Sequence, residues 1–150
     1  MKNVRTFVIT FSLLAFGPAA VAAVAANSTS DVIRRQAPKG ISAAFYSCID
    51  SAGSDTVATA ACLSTEKTTQ DTRLNTAYKA LIGKLDGESK SQLIRAERAW
   101  LKFQNEDGSF QNGLYGSETA ADLQLAQNDI FSLCERANVL EKYLSIANDK

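Results

Sequence analysis

Several residue types that carry chemistry are missing or scarce in this chain. Its 150 residues include no histidine, one tryptophan, one methionine, two prolines and three cysteines. Without histidine and without a C-x-x-C pair, the sequence offers no familiar set of zinc ligands. It also lacks the histidine that most often serves as a general base or activates a serine. We therefore expect no metal and no other cofactor, and we do not expect an enzyme.

The chain also lacks an excess of charge of one sign. It carries 16 basic and 16 acidic residues, with no long run of either. Surfaces that bind nucleic acid concentrate Lys and Arg, so we expect no nucleic-acid partner. No segment alternates polar and apolar residues for long enough to predict a β-sheet. What remains is a small helical protein that acts on something other than nucleic acid.

One long apolar stretch is present, at the N-terminus. Lys2 and Arg5 precede an apolar run over residues 7–16, and an alanine-rich tract then offers cleavage sites ending at Ala22, Ala25 or Ala26. This layout is typical of a secretory signal peptide. We therefore expect residues 1–26 to be removed and the protein to be periplasmic or secreted.

A single membrane anchor is the alternative interpretation of that stretch. Residues 7–26 approach the roughly 20 apolar residues that a spanning helix needs. The Gly17-Pro18 break and the alanines make a poor anchor, so we expect none after cleavage. Cleavage would leave 14 basic and 16 acidic residues, a formal charge of −2. Polar residues 27–40 then predict a flexible lead-in to one helical domain over residues 41–147.

The three cysteines favour one disulfide and one free thiol. In an exported protein, cysteines reach a compartment where disulfides persist. Cys48 and Cys62 lie close in sequence and flank Gly53-Ser54, a natural turn between two helices. We predict a bridge between them, since closing a loop of about 15 residues is worth about 3 kcal/mol. Cys134 lies in an apolar periodic segment and is expected to be a buried thiol.

Apolar residues recur with helical spacing through the rest of the chain. The pattern predicts four apolar helix faces, within residues 41–49, 74–85, 93–103 and 123–144. Ser54 or Asp55 is expected to cap the second helix, and Ser89 the third. The economical architecture is all-α, a small antiparallel bundle of about four helices with one disulfide.

Residues 104–117 are expected to be irregular, because Asp107-Gly108, Gly113 and Gly116 punctuate them. Loops held on a rigid scaffold often carry function, and aromatic anchors among small polar residues suit protein contacts. We therefore predict a protein-binding surface here. The alternative is that the aromatic residues fold back over the end of the bundle. The residues proposed to bind are Phe110, Tyr115, Asn112 and Gln104.

A polar cluster interrupts the second helix. Asp71 and Asn75 lie one turn apart on the same face as Tyr78, and Arg98 and Trp100 follow in the third helix. We favour a structural role, in which Asp71 pairs with Arg98 or a helix terminus and Asn75 bonds a backbone carbonyl in a loop. Tyr78 and Trp100 would then be core aromatics whose polar tips reach the surface.

An enzymatic role for the same cluster is the weaker alternative. Asp71 with Glu66 or Glu97 could supply the two carboxylates of a glycosidase. Carboxylates are common on helix surfaces, however, and no histidine or activated serine supports this interpretation. We therefore assign no catalytic residue.

Five sequence elements follow one another over about residues 41–145: C-x13-C, E-x3-Q-D-x-x-L-N-x-x-Y, A-x-R-A-W-x-x-F, Gly-Ser and R-A-x-x-L. Their order resembles the N-terminal domain of LprI-type lysozyme inhibitors, a family of small, exported, helical bacterial proteins. The residues that carry these elements are Cys48, Cys62, Glu66, Gln70, Asp71, Leu74, Asn75, Tyr78, Ala96, Arg98, Trp100, Phe103, Gly116, Ser117, Arg136 and Leu140.

The resemblance implies that the protein binds a protein partner, with a lysozyme as the leading candidate, and inhibits it without catalysis. An envelope factor or an immunity-type protein for a secreted toxin is the alternative, and a carbohydrate-active enzyme is a weak third. Asp71, Leu74, Asn75, Tyr78, Arg98 and Trp100 form the family signature, which we expect to be structural.

The chain departs from the family pattern at one place. The family commonly has an Arg and a cysteine where this chain has Gln104 and Gly108, and a second cysteine near Asn128. The resemblance therefore implies that one whole disulfide has been lost, at a cost of a few kcal/mol. Residues 104–118 include no Lys or Arg, and they carry Glu106, Asp107 and Glu118. This composition argues against an inhibitor that inserts a basic side chain into the lysozyme cleft.

Overall fold

The computed structural model describes residues 28–149, which form five helices and, within that range, no strand. The all-α prediction is confirmed, with one helix more than about four. The predicted signal peptide, residues 1–26, lies outside the described residues. The helices are α1 (Thr29–Gln36), α2 (Ala43–Ala52), α3 (Thr56–Lys84), α4 (Gly87–Tyr115) and α5 (Thr119–Asn148).

Helix α1 occupies much of the segment for which the sequence predicts a flexible lead-in. Ser30 is buried, and its hydroxyl donates to Asp50 Oδ2 of α2 at 2.7 Å while its N–H donates to Oδ1 at 3.2 Å. The Arg34 guanidinium lies 3.8 Å from the centre of the Tyr46 ring. The segment is therefore partly helical and packed, unlike the expected flexible lead-in, because the Ser30 and Arg34 side chains contact α2.

The turn between α2 and α3 has the helix cap and the disulfide that the sequence predicts. Asp55 is the N-cap of α3, and its Oδ1 accepts the N–H groups of Val57 and Ala58 at 2.9 and 3.0 Å. The predicted disulfide between Cys48 and Cys62 is confirmed, with the two Cα atoms 5.8 Å apart. The bridge joins the middle of α2 to the second turn of α3.

The long helices alternate in direction, so α3 and α5 run parallel with extensive contact between them. Two ion pairs, Lys67–Asp129 and Arg73–Glu141, connect them at successive heights. Cys134 is a free thiol and fully buried in this interface, as predicted. The core forms one cluster around α2 and the first half of α3, and a second around its later half; their central members are Phe45, Ile49, Ile130, Leu81, Ala137 and Leu140.

Helix α4 is where the structure departs most from expectation. It begins at Gly87 after the N-cap Asp86, not after Ser89, and it ends only at Gly116, whose φ is +81°. The prediction of an irregular segment over residues 104–117 is therefore wrong for residues 104–115. A glycine inside a helix costs only about 1 kcal/mol, so Gly108 and Gly113 are tolerated.

Side-chain hydrogen bonds support this part of α4. Gln111 Nε2 donates to Asp107 Oδ2 one turn earlier at 2.6 Å, and Asn128 of α5 donates to Gln111 Oε1 at 2.8 Å. These contacts favour the helix over the break that the local sequence suggests.

Candidate functional site

A buried carboxylate fixes the start of α2. Glu66 is 2% exposed, and its Oε1 accepts from the Ser42 N–H at 2.9 Å and from Gln70 Nε2 at 2.7 Å. Its Oε2 accepts from the Ser42 hydroxyl at 2.6 Å. Ser42 is itself the N-cap of α2 and accepts from Phe45 N–H. Glu66 therefore holds a helix cap in place.

The same network continues along α3 to α5. Gln70 Nε2 donates to the Gly40 carbonyl at 2.9 Å, and its Oε1 accepts from Arg73 Nη1 at 2.9 Å. Arg73 also donates to both oxygens of Glu141, at 2.8 and 2.6 Å, and to Asn138 at 2.6 Å. The Arg73 guanidinium lowers the pKa of Glu141 through these bonds. We call Glu66, Gln70 and Arg73 the clamp, because Glu66 and Gln70 bond Ser42 and Gly40, and Arg73 links Gln70 to α5.

Helix α4 is held to the rest of the molecule by far fewer buried side chains than α3. Leu93 and Glu97 are the only buried side chains of α4, and its contacts are mainly with α5. Glu97 forms a close ion pair with Arg136 of α5, whose guanidinium lies 5.9 Å from the Trp100 ring centre. Arg136 Nε is buried and has no hydrogen-bond partner among the described residues.

Because α4 leans on α5, a groove of about 420 Å³ opens between α3 and α4 above Leu133 of α5. We call it the signature groove, because all six residues of the family signature line it. Ile94, Glu97 and Leu101 complete its walls. The signature residues that the structure brings together there are Asp71, Leu74, Asn75, Tyr78, Arg98 and Trp100.

The signature residues were expected to hold the helices together through contacts between their side chains. Among residues 28–149, Asp71 and Arg98 form no ion pair with each other, and no hydrogen bond reaches either charged group. Asn75 Nδ2 donates to the Asp71 backbone carbonyl of the same helix at 2.8 Å, and not to a carbonyl in a loop as expected. Tyr78 and Trp100 are half-buried against the α3–α5 cluster. The Asp71 carboxylate and the Arg98 guanidinium, two opposite charges on the walls of the groove, are thus available to a ligand.

The residues proposed to bind a partner are not on a loop. Phe110 and Tyr115 are 65% and 47% exposed on α4, so they do not fold back over the bundle. Asn112 is exposed beside them, whereas Gln104 lines a polar cavity of about 280 Å³ between α4 and α5. Leu114, which the sequence analysis missed, is 67% exposed. Its signal was the four-residue spacing from Phe110.

These exposed residues lie in an acidic part of the molecule. No Lys or Arg occurs between residues 103 and 132, and the acidic residues there are Glu106, Asp107, Glu118, Asp122 and Asp129. We call residues 103–122 the acidic tip. It comprises the C-terminal half of α4, the turn at Gly116 and the first residues of α5.

The two positions at which the resemblance implies a further disulfide, Gly108 and Asn128, are also in this region. Gly108 and Asn128 both line the 280 Å³ polar cavity, so the two positions face each other across α4 and α5. The bond from Asn128 to Gln111 crosses the same gap at 2.8 Å. A neutral hydrogen bond contributes about 1 kcal/mol, less than the disulfide that the resemblance implies.

The described part of the chain holds no group of three or more His, Cys, Asp or Glu side chains that could bind a metal ion. Over the same residues, none of the helices combines the length and apolar character that crossing a bilayer requires. These residues thus make up a small all-α protein with one disulfide and a lined groove.

Comparison with known proteins identifies the family. A family model described as "Lysozyme inhibitor LprI" matches residues 48–141, well over half of the chain, and the chain belongs to this family. No curated protein and no solved structure matches it significantly. The matched region runs from the first bridged cysteine to Glu141, and it contains the clamp, the signature groove and the acidic tip.

Proposed function

We propose that this protein is exported, binds a lysozyme and inhibits it without catalysis. Membership of a family of lysozyme inhibitors is the observation that carries the proposal. The Cys48–Cys62 bridge supports export, because disulfides persist in oxidising compartments such as the periplasm or the extracellular space. The leader pattern in residues 1–26 agrees with the same localisation.

The arrangement of carboxylates supports a non-catalytic mode of action. A glycosidase needs two free carboxyl groups on either side of the bond that it cleaves. Glu66 accepts three hydrogen bonds inside the protein, and Glu97 is bound to Arg136. Neither is free to act beside Asp71. The protein is therefore expected to act by contact alone.

The acidic tip is the surface that we assign to the partner. Its exposed aromatic and aliphatic side chains, Phe110, Leu114 and Tyr115, project from a helix, which holds them at little cost in chain entropy. Residues of this kind commonly dominate protein interfaces. The absence of Lys and Arg from the tip favours a partner surface that is positively charged, as that of a cationic lysozyme would be.

The proposal is tested by measuring the lysis of peptidoglycan by several lysozyme types with the purified protein in micromolar excess. We expect slower lysis with at least one type, and a complex detectable by calorimetry. Phe110→Ala combined with Leu114→Ser should weaken binding by about 2 kcal/mol or more, roughly 30-fold, if these side chains are anchors.

The matched control removes exposed apolar groups elsewhere. Tyr143 and Ile146 are 46% and 48% exposed near the end of α5, so Tyr143→Ala with Ile146→Ser should leave inhibition unchanged. If no lysozyme is bound or slowed, the proposed function fails. A stable complex with another envelope or toxin protein would then favour the immunity-type alternative.

A further inference from the structure

We propose that the signature groove binds a short peptide segment that carries an apolar side chain between a cationic and an anionic group. The groove is separate from the acidic tip, so this site does not depend on the proposed inhibition of a lysozyme. It assigns a ligand class to residues that would otherwise have only a structural role.

The shape of the groove suits one apolar side chain with its flanking backbone. Its volume of about 420 Å³ falls within the range of ligand sites in proteins. Leu74 of α3 and Leu133 of α5 line it, together with Ile94 and Leu101 of α4. Leu74 and Leu133 are already nearly buried, so an apolar side chain that enters the groove removes mainly the surfaces of Ile94 and Leu101, and its own, from water.

The charges on the two walls select the groups beside that side chain. Asp71 stands on the α3 wall and Arg98 on the α4 wall, more than 4 Å apart and without an ion pair. The Lys67 ammonium group is already bonded to Asp129 at 2.6 Å, and this bond is the main reason that the pKa of Lys67 is raised, with a smaller contribution from the charge of Asp71. A ligand cation at Asp71 and a ligand anion at Arg98 would satisfy both groups.

The remaining polar groups suit a peptide backbone. Asn75 Nδ2 is used within α3, which leaves its Oδ1 as an acceptor for a ligand N–H. The Tyr78 hydroxyl has no hydrogen bond within residues 28–149 and can donate to a ligand carbonyl. A neutral saccharide would leave Asp71 and Arg98 without counter-charges, so the groove favours a peptide over a sugar.

The chain provides its own reporter for the test. Trp100 is the only tryptophan, and it lines the groove, so its fluorescence responds to occupancy. The probe is the tripeptide lysyl-phenylalanyl-glutamate with both ends blocked, titrated to about 10 mM because ordering a short flexible ligand weakens its binding. We expect a saturable change in Trp100 emission. Replacing the phenylalanyl group of the probe by alanyl, or both charged groups by seryl, should weaken binding at least fivefold.

Variants of the protein locate the site. Arg98→Gln and Asp71→Asn should each weaken binding about tenfold, or about 1.4 kcal/mol. Arg95→Gln on the same helix and Glu135→Gln on α5 are the matched controls, since both residues are exposed and lie outside the groove lining. Both should bind the probe within twofold of the unaltered protein. Within the described part of the chain, the side chains of Asp71 and Arg98 form no hydrogen bond or ion pair, so the variants are expected to melt at the same temperature as the unaltered protein.

Three results would overturn the proposal. One is the absence of any saturable change in Trp100 emission with the probe. Another is equal binding by the Asp71 and Arg98 variants and their controls. The third is a response to the trimer of N-acetylglucosamine without a response to the peptide, which would make the groove a saccharide site. Lysozyme inhibition by Arg98→Gln should be unchanged, so the two proposals fail separately.

Discussion

Helices α3 and α4 have the same length, 29 residues each, yet the molecule holds them in very different ways. Seven side chains of α3 are buried, and the disulfide, the clamp and the contact with α5 all fasten it. Helix α4 buries Leu93 and Glu97 and touches mainly α5. The resembling motif on α3 is divided in the same way. Glu66 and Gln70 are buried in the clamp, whereas Asp71, Leu74, Asn75 and Tyr78 line the signature groove.

The same difference indicates which helix opens with the smaller free energy. A segment with few buried apolar contacts opens with a smaller free energy than the rest of a domain. Helix α4 fits that description, and the gap between Gly108 and Asn128 is crossed by a hydrogen bond from Asn128 to Gln111. The signature groove and the acidic tip both use the weakly held helix. Four predictions test the comparison between the two helices.

The largest effect should come from the bridge that fastens α3. Cys48→Ser should lower the free energy of unfolding by about 3 kcal/mol, because the unfolded chain is no longer closed into a loop. Cys134→Ser should cost less, since a serine hydroxyl can keep the bond that Sγ donates to the Lys39 carbonyl. Urea unfolding measures both. The reverse order would mean that the bridge is not the main fastening of α3.

The clamp should come second. Glu66→Gln preserves volume but turns an acceptor into a donor among groups that already donate, so we expect a loss of about 2 kcal/mol. Glu135→Gln, on the exposed face of α5, is the control and should change stability by less than about 0.5 kcal/mol. Equal effects of the two substitutions would show that the buried network does not hold α3 in place.

The third prediction concerns α4 alone. Glu97→Gln leaves Arg136 half-compensated, and we expect a loss of about 1–2 kcal/mol, below the range for fully buried pairs because Arg136 is partly exposed. Hydrogen exchange should speed up in α4 while α3 and α5 stay protected. Glu106→Gln, exposed on the same helix, is the control. Uniform acceleration across all helices would contradict the separate behaviour of α4.

The smallest effect is a pH dependence at the edge of the clamp. The bonds from Arg73 hold the pKa of Glu141 below its ordinary value, so the carboxylate stabilises the fold above that value. This stability is lost as the pH falls through the lowered pKa. Because the Glu141 side chain is 45% exposed, we expect only about 0.5 kcal/mol. Unfolding between about pH 6 and pH 3 should depend less on pH in Glu141→Gln; an identical dependence would contradict the prediction.

Local rules were enough for a substantial part of the fold. Asp55 was predicted as one of two caps, and Cys48, Cys62 and Cys134 were assigned correctly as bridge and free thiol. The same rules failed at Gly108 and Gly113. They weigh the glycine penalty, but not the bonds that Asn128 and Asp107 make with Gln111, one of which comes from another helix.

The candidate sites were predictable only in part. The six signature residues were recognised from their order along the chain, and the expectation that they are structural remains a prediction. The pairing of Glu97 with Arg136 was not foreseen, because nothing local links residues 39 positions apart. The exposed Leu114 was also missed. The sequence therefore identified the six signature residues that line the groove, but it did not predict that a groove lies between them.

The amino-acid sequence by itself determined that this protein is helical, bridged once and a member of the LprI family. Helical spacing, caps and the separation of two cysteines act within a few turns of the chain, and family motifs are read in order. The tertiary structure decided which motif residues are buried and which line a groove. That outcome depends on the lean of α4 toward α5, set by Leu93, Glu97 and Arg136 across long sequence separations.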